Sequence, residues 1–141
     1  MGLSYLLFYS YKVEPCQIAL FNYEIAFASI LSYNLPKFTA YTSWSANGIT
    51  FADTTIIGTN PYGIFIDTNN TIYVAERTPN RVQVWHDSSS APIRVLTSSL
   101  STPFSVFVTI NGDIYIDNGG SNTRVDKWTL NSSTSTSAMY V

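Results

Sequence analysis

Residues 60–85 read N-P-Y-G-I-F-I-D-T-N-N-T-I-Y-V-A-E-R-T-P-N-R-V-Q-V-W, and this stretch decides the fold. It holds three short apolar runs separated by turn formers, the pattern of consecutive strands. Ile64-Phe65-Ile66-Asp67 is largely apolar on both faces, as suits an inner strand packed on both sides. Asn69-Asn70 is a tight-turn signal, because Asn tolerates positive φ. Thr71-Ile72-Tyr73-Val74-Ala75 is rich in β-branched and aromatic residues, which fit a pleated, half-buried surface. After a polar break, Arg81-Val82-Gln83-Val84-Trp85 alternates with the two-residue period of a strand.

The stretch recurs once, at residues 102–128: T-P-F-S-V-F-V-T-I-N-G-D-I-Y-I-D-N-G-G-S-N-T-R-V-D-K-W. Pro61 and Pro103 are 42 residues apart, as are Tyr73 and Tyr115. Arg81 and Arg124 are 43 apart, as are Trp85 and Trp128, and Trp44 precedes Trp85 by 41. A period of about 40–45 residues with several strands per unit is the signature of a propeller blade. Fourth strands are expected at 93–96 and 138–141. The expected fold is all-β, a partial β-propeller of four-stranded antiparallel blades of about 42 residues, with a short N-terminal helix among the readings of the amino end.

P-Y-G-I-F-I-D, I-Y-V-A-E and N-R-V-Q-V-W together resemble the NHL repeat. That family's repeat has a Pro-x-Gly entry, an acidic residue ending the first strand, a Y-V-A-D strand and an Asn-x-Arg-hydrophobic third strand. The resemblance covers roughly residues 44–128. Glu76 and Asn118 stand where the family usually has Asp, and Ser105 replaces the Gly matched by Gly63. Asn80 directly precedes Arg81, whereas Asn122-Thr123-Arg124 keeps the usual spacing. The repeat positions are Pro61, Gly63, Asp67, Tyr73, Arg81, Trp85, Pro103, Tyr115, Arg124 and Trp128.

The resemblance implies a ring of about six blades, and 141 residues supply about three. The chain therefore reads as a fragment, a partial gene product, or an array that closes with other copies. The expected organisation is a non-repeat segment over 1–36, an incomplete blade over 37–58, and NHL-like blades over 59–100 and 101–141. In the first segment, Leu6 stands where an N-myristoylation motif wants Ser or Thr. Residues 3–11 are apolar but lack a positively charged lead-in. Residues 18–31 are apolar around Asn22 and Glu24, too short a run for a spanning helix. The segment reads as signal-like, anchor-like or wrongly assigned, and residues 17–32 equally as one helix. A strand-like run follows at 38–44, a turn at 46–48, a short strand at 49–51 and an outer strand at 55–58.

Charged residues make up 11% of the chain and the net charge is −2. Lys12, Lys37, Arg77, Arg81, Arg94, Arg124 and Lys127 are scattered, so the clustered positive face of a nucleic-acid binder is missing. A single cysteine, Cys16, excludes an internal disulfide and a Cys-rich metal site. His86, entering the loop 87–90, reads as a solvated histidine rather than a ligand. No nucleophile elbow, phosphate loop or triad spacing occurs.

Candidate sites are correspondingly few. Asn69-Asn70-Thr71 and Asn131-Ser132-Ser133 are glycosylation sequons, with Asn69 and Asn131 as acceptors. They lean the localisation toward the extracellular side, against which stands the absence of disulfides. Asp67, Glu76 and Asp117 end strands and offer oxygen ligands for a divalent cation. The competing reading, which we prefer, has Asp67 capping its turn through the amides of Asn69 or Asn70. Arg81 and Arg124 are expected to tie to Glu76 and Asp117 or to neighbouring carbonyls. Tyr73, Tyr115, Trp85 and Trp128 are expected in the core between repeats.

The expected function is a non-enzymatic module that contacts a protein or glycan. No catalytic, metal or cofactor residue is assigned, nucleic acid is not an expected partner, and any membrane contact is confined to residues 1–33. Two alternatives stay open. One is a piece of a metal-dependent six-bladed lyase or hydrolase, although a lyase-type zinc site needs several histidines and His86 is alone. The other is a substrate-recruiting propeller in ubiquitin ligation, for which this chain carries no RING-type Cys/His spacing. Fold by itself assigns none of these.

Overall fold

The computed structural model describes residues 4–9, 18–23, 40–41, 43, 47–86, 89–120 and 123–140. Among these there are eleven strands and no helix, and all sheet pairings are antiparallel. The chain divides into two compact units, Met1–Ile56 and Ile57–Val141.

In the first unit, β1 (Ser4–Tyr9), β2 (Ile18–Tyr23) and β3 (Ile49–Ala52) form a three-stranded sheet in the order β1-β2-β3. The helix reading over 17–32 is corrected where it is described: Ile-Ala-Leu-Phe-Asn-Tyr is a strand, paired on both sides. A short apolar run satisfies either period, and here neighbouring strands supply its backbone partners. Residues 24–39 and Trp44 lie outside the described residues, as do Cys16, Lys12 and Lys37. The short strand read at 49–51 is part of β3, but the outer strand expected at 55–58 is absent. Asp53 instead takes the Thr55 amide at 2.9 Å and the Thr55 hydroxyl at 2.6 Å, which closes a turn.

The second unit holds both matching stretches, residues 60–85 and 102–128. β4 (Asn60–Ile66), β5 (Thr71–Thr78), β6 (Arg81–His86) and β7 (Arg94–Leu96) make one four-stranded sheet in sequence order. β8 (Ser105–Val108), β9 (Ile114–Asn118), β10 (Arg124–Trp128) and β11 (Thr136–Tyr140) make the other. Their registers repeat. Phe65 faces Tyr73 as Phe107 faces Tyr115, and Ile72 faces Trp85 as Ile114 faces Trp128.

The turns repeat as well. Asp67 and Thr71 exchange the backbone bond that Thr109 and Asp113 exchange, at 3.0 and 2.9 Å. The positive φ needed in each turn falls on Asn70 (59°) and Gly112 (82°). Asp67 Oδ1 accepts from the amides of Asn69 at 2.8 Å and Thr71 at 2.9 Å, which is the capping role read from the sequence.

The two sheets share one core. Tyr73, Ala75, Val82, Val84 and Leu96 of the first meet Val106, Val108, Ile114, Ile116 and Trp128 of the second, with Leu100 from the connection. Alternation sends Gln83 and Trp85 to the opposite face of β6, where both are buried. Trp85 and Tyr115 are thus not in this core. Tyr115 is only partly buried, and Lys127 Nζ lies 5.6 Å from its ring centroid.

Close approach of the sheets depends on Gly63. A Cβ there would stand 2.5 Å from the Phe104 carbonyl oxygen and 2.8 Å from the Ser105 Cα, both backbone atoms. Ser105, at the same position in the second copy, is exposed and can carry a side chain. Gly63→Ala is expected to cost about 1–3 kcal/mol by overpacking, whereas Ser105→Ala should stay within about 0.5 kcal/mol. Urea unfolding of the two variants checks this; equal effects would remove the packing role of Gly63.

Tyr73 gives a pH signature. Its hydroxyl donates to Asp67 Oδ2 at 3.1 Å. Burial first, and then the Asp67 carboxylate, raise its pKa above the ordinary value of 10.0. Above that pH the unfolded chain releases a proton that the folded chain retains, so stability present below pH 10 falls as pH rises past it. The expected result is a steeper alkaline loss of stability in the parent protein than in Tyr73→Phe, measured by thermal melts. Parallel curves would refute it.

Candidate interaction site

The sequence positions around Glu76 and Arg81 form a buried latch. Glu76 is fully buried; its Oε1 accepts from Arg81 Nε at 2.9 Å. Its Oε2 accepts from Arg81 Nη2 at 3.0 Å and from the Gly58 amide at 2.6 Å, which anchors the segment entering β4. The second copy rebuilds this latch with the acid moved. Asn118 replaces Glu76, and Asp126 replaces Gln83. Arg124 Nε sits 2.7 Å from Asp126 Oδ1 as a charge contact off the hydrogen-bond direction. Asn118 Nδ2 donates to Asp126 Oδ2 and to the Ser99 carbonyl, both at 2.7 Å, and its Oδ1 accepts from the Ser101 amide at 2.6 Å. Arg124 Nη2 also reaches the Ser99 carbonyl at 3.2 Å.

The expected pairing of Arg124 with Asp117 is therefore corrected to Asp126. Alternation along β9 turns Asp117 to the face opposite Asn118. The carboxylates Asp67, Glu76 and Asp117 do not make one site either. Asp67 caps the start of β5 and Glu76 lies near its end. Among the described residues no group of three or more His, Cys, Asp or Glu is placed to hold a metal. His86 is exposed at the end of β6. Asn69 and Asn131 are both exposed. Asn131 borders an open groove of about 420 Å³ whose cation, Arg94, is committed to the Leu130 carbonyl at 2.7 Å and to the Thr129 and Ser132 carbonyls.

A different cluster stands exposed. Tyr62 follows Pro61 and Phe104 follows Pro103, so an aromatic follows the proline in both matching stretches. The two rings meet edge to face, with centroids 5.3 Å apart and planes at 89°. Arg77 Cζ lies 5.6 Å from the Tyr62 centroid and 5.4 Å from that of Phe104, and Nη1 donates to Tyr62 Oη at 3.3 Å. Both Tyr62 and Arg77 are skipped by the strand register, which runs Asn60↔Thr78, Pro61↔Glu76, Gly63↔Ala75. A β-bulge adds twist and re-aims side chains. Here it turns Tyr62 and Arg77 outward while Pro61 and Glu76 stay buried.

Three cations lie at this end of the two sheets, and two are neutralised: Arg81 by Glu76 and Arg124 by Asp126. Among the described residues no carboxylate pairs with Arg77. The arrangement is an exposed guanidinium held over two rings, with its charge uncompensated. In the sequence Arg77 stands only among scattered cations. The signal that could have singled it out was the shared Pro-aromatic step at 61–62 and 103–104. No protein-family model matches the chain, and no curated protein matches it.

Proposed function

We propose that the second unit is two neighbouring blades of an NHL-type propeller, and that the chain serves as a non-enzymatic module binding another protein. The propeller reading is supported by the repeated register, the repeated turns and the packing of one sheet's Trp128 against the other sheet's Tyr73 face. The binding reading is carried by one observation, the exposed Tyr62–Arg77–Phe104 cluster on its bulge. Tyr and Arg are enriched among the residues that dominate protein–protein binding energy. An arginine already held beside two rings surrenders less side-chain freedom on binding than a free one.

Panning a random peptide library on the folded chain tests this. Selected peptides are expected to bind about tenfold or more weakly to Tyr62→Ala, and to bind equally well to Ile110→Ser, an exposed position in the β8–β9 turn. Selected peptides indifferent to Tyr62→Ala would overturn the reading.

A further inference from the structure

Resting on that reading, we infer that the Tyr62–Arg77–Phe104 cluster seats a carboxylate of an extended peptide segment, with an apolar or aromatic residue of the same segment laid against the two rings. Charge identifies the first half of the ligand. Arg77 is exposed, and among the described residues its side chain makes one hydrogen bond, the Nη1 donation to Tyr62 Oη. A guanidinium carries five N–H donors in a planar fork that fits the two oxygens of a carboxylate. The two rings and the bond to Tyr62 Oη restrict where that fork can lie, so an arriving anion meets a donor set with less freedom to lose.

The count of cations favours a carboxylate over a phosphate group. Sites that read phosphorylated segments gather several arginines. Here Arg81 and Arg124 are already bound to Glu76 and Asp126, which leaves Arg77 as the single uncompensated cation of the three at this end. A net charge of −2 opposes a polyanion in the same way. The bulge favours a peptide. Tyr62 and Arg77, both skipped by the register, are both exposed, so one extended segment can meet the charge and the rings together. Tyr62, 43% exposed, and Phe104 supply the apolar floor for the neighbouring side chain.

Fluorescence anisotropy with short labelled peptides tests the assignment at low ionic strength, where charge contacts are least screened. The probes are Gly-Glu-Trp-Glu-Gly amide, its counterpart with Gln for both Glu, and that Gln peptide with a free terminal carboxylate. The acidic amide, the free-acid peptide, or both are expected to bind at least about tenfold more tightly than the Gln amide, one charge-assisted fork being worth that much. Which of the two binds tells whether a side chain or a chain terminus is read. Arg77→Gln should erase the difference, while Tyr62→Ala should weaken all peptides alike; circular dichroism confirms that both variants fold.

Equal binding of acidic and Gln peptides overturns the inference, as does a preference that persists in Arg77→Gln. Binding of an oligogalacturonate probe in place of every peptide also overturns it, in favour of a glycan. Failure here is separable from failure of the interaction reading. Library peptides that depend on Tyr62 but carry no acid would leave that reading standing and remove only the carboxylate.

Discussion

Glu76→Gln is expected to lower the unfolding free energy by about 3 kcal/mol, and adding Gln83→Glu in the same chain is expected to restore most of the loss. Removing one partner of a buried ion pair leaves the other charge uncompensated, at a cost of about 3–5 kcal/mol. The lower end applies, because the Arg81 side chain keeps 25% exposure and can recruit water. The second variant alone should also destabilise, since it buries another carboxylate on the Glu76 face of the sheet. Together they recreate the second copy, in which the amide stands at the end of β9 and the acid on β10.

There the Asn118 amide donates to Asp126 and still takes the Ser101 amide, as Glu76 takes that of Gly58. A double-mutant cycle by urea unfolding reads the coupling directly. If the two changes simply add, the acid and amide are not interchangeable across the strands. The latch would then be two unrelated networks.

Where the residue types were informative, the physical reason was local. Asn69-Asn70 and Asn111-Gly112 announced their turns because positive φ is a property of single residues, and Asn70 and Gly112 carry it. Trp85 and Trp128 announced equivalent places because burial and register follow a two-residue period, and each faces an isoleucine across its hairpin. Non-local features were not legible. The acid of the second latch was expected on β9 and sits on β10, because a buried charge need only be near its arginine, not on a given strand. A helix stands among the sequence readings of 17–32 because residues 18–23 are too short to separate the two periods. The Arg77 cluster is not legible either, for a non-local reason. A bulge is a property of two strands in register, and it is the skip at Tyr62 and Arg77 that turns both outward. Gly63 was read as a repeat landmark, and the structure supplies its cause, the neighbouring backbone at 2.5 Å.

Trp128→Ala is the substitution expected to cost most, about 3–5 kcal/mol. That is a large part of the roughly 5–15 kcal/mol that holds a typical domain folded. The indole is 0% exposed and stands in the core shared by both four-stranded sheets. An aromatic of this kind buries about 150–250 Å², worth roughly 4–6 kcal/mol at about 25 cal/mol per Å². Little of that is recoverable by collapse, because Tyr73, Val82 and Val84 opposite it are fixed in their own ladder.

The loss should also be spatially uneven. Trp128 is the largest of the five residues that the second sheet brings to a core the first sheet fills from β5, β6 and β7. Its removal should therefore loosen the attachment of β8–β11 before it loosens the β4–β5 and β5–β6 pairings. Hydrogen exchange on Trp128→Ala is expected to show protection falling first in β9 and β10, with β5 and β6 retaining theirs longest. Trp85→Ala, on the opposite face of β6, should not show that order. Uniform loss across both sheets in the two variants would mean that the sheets are one cooperative body, and that the single four-stranded sheet is not the unit of stability.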